Sequence, residues 1–119
     1  MIHFTTIKCF SEVKYMKNQK WVNPRTNRFF KAVLKLENLG EARKFFRDLL
    51  TEQEIEEFAG RWEVACMLSK NTPYSKIAKE TGMSSTTIAR ISKWLNKGMG
   101  GYKLLIKKFN KQINHRSPA

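Results

Sequence analysis

Cysteine is scarce in this chain of 119 residues: Cys9 and Cys66 are the only two. Such a pair cannot build a disulfide scaffold, and a reducing, cytoplasmic setting is expected. His3 and His115 stand more than a hundred residues apart. With the cysteines they show no metal-ligand spacing, so neither a metal nor another cofactor is expected. No stretch of about 18 apolar residues suits a membrane span, and no membrane partner is expected. The opening MIHFTTIKCFSEVKYMK has no basic segment followed by an apolar one and does not read as a secretion signal. Acidic residues are few, ten in all. The glutamates among residues 52–57 crowd the first turns of an expected helix, where capping and the helix dipole explain them better than acid/base chemistry. Gly98, Gly100 and Gly101 follow a helix rather than a strand and form no phosphate-binding loop. Trp21, Trp62 and Trp94 are scattered and make no base-stacking platform. With no acidic triad and no nucleophile cluster, the chain does not read as an enzyme.

What the chain has is positive charge. There are 23 Lys and Arg, giving a net charge of +13, within an otherwise ordinary composition of 41% apolar and 12% aromatic residues. A surplus of this size implies a polyanionic partner. It is unevenly placed: the balance is +6 over residues 1–40, −3 over 41–68 and +10 over 69–119. A mildly acidic middle between two basic flanks suggests a scaffold presenting basic surfaces.

The apolar pattern is helical throughout. Residues 1–26 read as a basic N-terminal arm, with Met16 as an alternative start. From Asn27, the residues Phe29, Phe30, Val33, Leu34 and Leu36 recur at helical spacing, and Gly40 is placed to end that helix. Ala42, Phe45, Phe46, Leu49 and Leu50 form a second amphipathic stripe. Thr51-Glu52-Gln53-Glu54 is a capping box opening a third helix. From Trp62 this helix is apolar on most faces, so it is expected to be covered on more than one side, by a second subunit in a chain this short. Thr72 and Pro73 read as the cap and first residue of a fourth helix, and Ser84 as the cap of a fifth reaching Asn96. A last helix carries Tyr102, Leu105, Ile106, Phe109 and Ile113 on one face, with Lys103, Lys107, Lys108 and Lys111 elsewhere. Residues 114–119 read as a tail.

Between residues 73 and 96 the chain reads as a helix-turn-helix. Two steeply crossing helices need a small residue at their contact, which Ala78 supplies. Their turn needs positive φ, which Gly82 tolerates. Ile77, Ile88 and Ile91 are placed to face one another. The second helix would then enter the major groove of DNA by its N-terminal end. Ser84, Ser85, Thr86 and Thr87 fall at that end, where hydroxyls reach base edges or phosphates and a Thr methyl can meet a thymine methyl. Arg90 and Lys93 follow at phosphate reach, and Lys76 and Lys79 on the first helix are positioning candidates. Lys97, Lys103 and Lys107 add nonspecific attraction.

RFFKAVLKLENLGEARKFFRDLLTEQEIEEFAGRWEVACML, then TGMSSTTIARISKWL and GMGGYKLLIKK, resembles the Trp repressor family, and within it the YerC/YecD-like branch. The resemblance covers roughly residues 27–108. It implies an all-α, multi-helix fold with a helix-turn-helix, an intertwined homodimer, and binding to palindromic operators in double-stranded DNA. Its tryptophan-binding members form a corepressor pocket from a Thr and two Arg, matched by Thr51, Arg61 and Arg90. Two matched positions differ in size: Ile91 replaces a Gly, and Trp94 replaces a small Ser. Both would fill space the amino acid needs, and overpacking costs about 1–3 kcal/mol or more. A tryptophan corepressor is therefore not expected. Ser75 replaces the base-reading Arg of the first motif helix, so the operator should differ too.

These readings lead to a cytoplasmic, nucleoid-associated transcriptional regulator, most simply a repressor. Its arm spans residues 1–26, its dimerisation and DNA-binding domain 27–113, and its tail 114–119. Two alternatives remain: the DNA-recognition module of a transposase or recombinase with a separate catalytic partner, and a charge-driven nonspecific nucleoid or RNA-binding protein.

Overall fold

Asn23 starts the first helix by taking the backbone N–H of Thr26 on its side chain at 3.0 Å, while the Thr26 hydroxyl accepts the N–H of Asn23 at 3.1 Å. A computed structural model of the protein describes residues 19–116, with side chains as far as residue 112. Among the described residues there are six helices and no strand. They are α1 (Pro24–Val33), α2 (Leu39–Leu49), α3 (Glu52–Ser69), α4 (Tyr74–Thr81), α5 (Ser85–Lys97) and α6 (Gly101–Arg116). The chain divides into two compact units, Met1–Phe46 and Arg47–Ala119.

In the first unit, Pro24 is pre-set for the first helical position, where its missing N–H costs nothing. Phe29 stacks on Phe45 with ring centroids 6.3 Å apart, and the Trp21 ring meets Phe30 edge-on. Neither α1 nor α2 buries a single residue.

The second unit holds the core. Thr51 caps α3 through the reciprocal pair anticipated from the sequence: its hydroxyl accepts the Glu54 N–H at 3.1 Å, and the Glu54 carboxylate accepts the Thr51 N–H at 3.0 Å. α3 packs against α4, α5 and α6, and α5 packs against α4 and α6. Val64, Ala65, Ile77, Ile88 and Ile91 are fully buried between them, with Leu95 at their edge. Burying each isoleucine contributes about 1.5–3 kcal/mol before the entropy of ordering it. Trp62 stacks on Tyr102 at 6.4 Å and leans on Phe109 at 5.9 Å, tying α3 to α6. Gly98 makes the tight exit from α5: a Cβ there would collide with the Trp94 carbonyl.

Several boundaries differ from the expected ones. α1 starts at Pro24, inside the expected arm, because the Asn23 cap and Pro24 open the helix five residues before the apolar stripe begins at Phe29. It ends at Val33, so Leu36 lies beyond it. Gly40 does not end α1 but sits in the first turn of α2, whose N–H at Glu41 is taken by Asn38 Oδ1 at 2.9 Å. At α4 the cap is Pro73, not Thr72, with no side-chain cap bond. The Thr72 N–H instead donates to Met67 O at 3.1 Å and closes the end of α3. The helix-turn-helix thus ends at Lys97, and α6 continues to Arg116 through the expected tail boundary. Met16, Cys9 and His3 lie outside the described residues, as do residues 117–119 and the side chains of Ile113 and His115.

Candidate nucleic-acid interface

The turn between α4 and α5 is built from four consecutive residues. The Thr81 hydroxyl donates back to Ile77 O at 2.6 Å, and the Met83 N–H donates to Thr81 Oγ1 at 3.3 Å. Gly82 between them has φ +73°, a conformation natural to glycine and costly for a residue with a Cβ. Ser84 then caps α5: its Oγ accepts the Thr87 N–H at 3.2 Å and lies 3.0 Å from the Thr87 hydroxyl. Ser84 and Thr87 are thus engaged with each other, and Thr87 is half-buried.

Ser85, Thr86, Arg90 and Lys93 are exposed. Thr86, Arg90 and Lys93 follow i, i+4, i+7 spacing and share one face of α5. The opposite face carries Ile88, Ile91 and Leu95 into the core, which fixes the rotation of the helix about its axis. No carboxylate occurs between Ser85 and Lys97. On α4, Ser75 and Lys76 are exposed beside Lys79 and Glu80, around one shallow concavity. Lys76 Nζ lies 4.0 Å from Glu80 Oε1, a long surface pair that leaves the ammonium able to swing away.

The positions matched to a corepressor pocket part company. Thr51 is absorbed by its cap, and its N–H holds the Glu54 carboxyl below the usual carboxylate range, helped by its hydroxyl. Arg61 Nη2 lies 3.0 Å from Glu57 Oε1, and its guanidinium carbon stands 5.5 Å from the Phe58 ring centroid and 5.9 Å from that of Trp94. Arg90 is exposed on α5 and shares no ion pair with either among the described residues. Ile91 lies wholly in the core, while Trp94 is 45% exposed. The structure therefore brings Arg61 and Trp94 together. No hydrogen bond or ion pair joins Thr51 or Arg90 to them.

Two features escaped the sequence reading. The first is the Glu57–Phe58–Arg61–Trp94 cluster. Its three α3 members had a signal in their i, i+1, i+4 spacing, but Trp94 had none. The second is a groove of about 830 Å³ between the α3–α4 turn, the last turns of α5 and one flank of α6. Lys103, Lys107 and Lys111 line it at every fourth residue, a row visible in the sequence but not its walls. Elsewhere, burial pushes the Cys66 thiol up, against a smaller lowering by Lys70. Among the described residues no group of His, Cys, Asp and Glu is placed to hold a metal, and no helix is long and apolar enough to cross a membrane.

These elements define an all-helical protein built around a helix-turn-helix. The chain belongs to the Trp repressor protein family, which it matches over residues 25–110. It is 38% identical over 91 residues to uncharacterized protein YerC of Bacillus subtilis (strain 168), covering 76% of this chain and 88% of YerC. A solved structure of a TrpR-like protein from Eubacterium eligens superposes with a TM-score of 0.75 at 38% identity, covering 78% of this chain and 96% of that one. A Staphylococcus aureus structure, described as that of a proposed Trp repressor, matches with a TM-score of 0.75 at 34% identity, covering 80% of this chain and 95% of that one. The family is one of DNA-binding regulators, not of enzymes.

Proposed function

We propose that this protein is a sequence-specific transcriptional repressor that reads a palindromic operator in double-stranded DNA as a homodimer on the nucleoid. The observation that carries this reading is the outer face of α5. Thr86, Arg90 and Lys93 stand there in one row, on a helix locked from behind by Ile88, Ile91 and Leu95. In the major groove, Ser85 and Thr86 meet base edges, while Arg90 and Lys93 reach phosphates. Ser84 and Thr87 hold the helix start in shape and leave its first N–H groups to a phosphate. Ser75 and Lys76 on α4 grip the backbone alongside.

A dimer is supported by what one chain leaves open. α1 and α2 bury nothing, and Phe58, Leu104, Leu105 and Phe109 are all exposed. A second copy is the natural cover for such faces. Independence from tryptophan is supported by Ile91, which fills the core, and by Trp94, whose indole shares the Arg61 guanidinium.

The test is selection from random duplexes by the purified protein, at about 150 mM salt and without added amino acid. Enrichment of a palindrome with half-sites spaced for a two-fold dimer is expected. Recovery of unselected sequence, with affinity that collapses as salt rises, would replace this reading with charge-driven nonspecific binding.

A further inference from the structure

α6 carries two unlike flanks. Tyr102 and Ile106 pack against the core, and Leu105 and Phe109 lie exposed to one side of them. Lys103, Lys107 and Lys111 lie to the other side. At about 100° per residue, Lys107 and Phe109 point about 160° apart. A partner chain seated on Leu105 and Phe109 lies on the far side of α6 from Lys107, while exposed Leu104, about 60° from Lys107, borders the lysine flank.

That flank is one wall of the groove of about 830 Å³, a volume within the range of small-molecule sites. Leu68, Leu95 and Ile106 supply an apolar lining, and Tyr74 stands at the groove 44% exposed. Asn96 and Asn110 add amide donors and acceptors. Among the described residues no carboxylate lines the groove and none of the three lysines is ion-paired. Lys103 also stands in the first turn of α6, where the helix dipole disfavours a cation and no acidic residue compensates. An anion bound there would relieve that conflict.

We propose that this groove is a binding site for a small phosphorylated ligand with a flat ring, of nucleotide type. Its phosphates lie along Lys103, Lys107 and Lys111, a row about 12 Å long at about 1.5 Å rise per residue. Its ring lies on Tyr74 and the apolar lining. The groove centres on the far end of α5, where Asn96 is about 16 Å along the helix from Ser85, and it borders the DNA-facing residues at Tyr74 and Ser92. Duplex DNA offers no exposed ring to the apolar lining, so the groove fits a small ligand better than a second stretch of duplex.

The experiment is calorimetric titration of the full chain with ATP, pyrophosphate and adenosine separately, in the absence of DNA. ATP is expected to bind once per chain with a Kd below about 100 μM, and pyrophosphate and adenosine each at least tenfold more weakly. A Lys107→Gln, Lys111→Gln double variant keeps good helix formers at exposed positions. It should retain its circular dichroism and lose at least tenfold in ATP affinity. Tyr74→Ala should abolish the preference for ATP over pyrophosphate. Three results overturn the proposal: no ATP binding up to about 1 mM, undiminished affinity in the double variant, or displacement of ATP by random-sequence duplex. The last would assign the lysines to the DNA surface.

Discussion

The guanidinium of Arg61 stands over the indole of Trp94, 5.9 Å from its ring centroid, while Glu57 holds the same guanidinium at 3.0 Å. One arginine on α3 is thereby tied to the recognition helix and to its own helix at once. The arrangement places a side chain of this protein beside the arginine that its resemblance to tryptophan-binding relatives would assign to a corepressor. Added tryptophan should accordingly give no micromolar binding heat. A titration that did show micromolar binding would mean that Trp94 swings aside. Trp94→Ala should cost about 0.5–1 kcal/mol in chemical denaturation, since the pair is partly exposed.

Thr86→Ala should weaken operator binding by about 1–3 kcal/mol, and Arg90→Ala should weaken binding to all sequences and lower the salt slope by about 1, both while leaving the oligomeric state unchanged. Binding assays on the selected operator, beside sedimentation of the free protein, check both halves. If neither substitution affects binding, the outer face of α5 does not read DNA.

Gly82→Ala should destabilise the protein by about 1–2 kcal/mol. Nothing lies within 4 Å of the added Cβ, so the cost is backbone strain at φ +73° rather than a clash. Denaturant midpoints of the two proteins measure it. Loss of operator binding in the still-folded variant would show that the turn also sets the angle of α5.

The capping pair of Thr51 and Glu54 predicts an acid limb in the stability profile. Its N–H bond to Glu54 depresses that carboxyl in the folded state. The associated stability is thus present above the carboxylate's ordinary unfolded value, near 4.3–4.5, and is lost as pH falls through the lowered folded value. Thr51→Ala should reduce this loss by removing the hydroxyl's share, leaving the backbone's share in place. Thermal melts from about pH 5 to pH 2 resolve the difference.

Local chemistry was legible in the sequence, and chemistry assembled across helices was not. The Thr51 box, the Ser84 cap and the Gly82 turn each close within a few residues, so their side chains announce them. Gly40 misled because a glycine suits a helix end as readily as a first turn. The deciding group was Asn38, whose side chain claims the Glu41 N–H. Thr72 and Pro73 misled by one residue because the Thr72 N–H is used to finish α3. In the candidate site, the exposed row of Thr86, Arg90 and Lys93 followed from spacing. The meeting of Arg61 with Trp94 did not, because it spans two helices far apart in sequence. The groove beside α6 has walls from three regions of the chain, so only its lysine row could be seen beforehand.

Among the described residues the six buried side chains all lie between Val64 and Leu95, within one continuous stretch of chain. Closing such short loops costs little entropy, and folds rich in local contacts form in microseconds to milliseconds. The reading head should therefore assemble at a rate independent of protein concentration. In the proposed dimer, the open faces of α1, α2 and α6 are covered only by a bimolecular encounter. Newly made protein would thus hold its DNA-reading surface in shape before it gains a second copy of that surface. The onset of operator occupancy would be timed by how fast chains meet, not by how fast they fold.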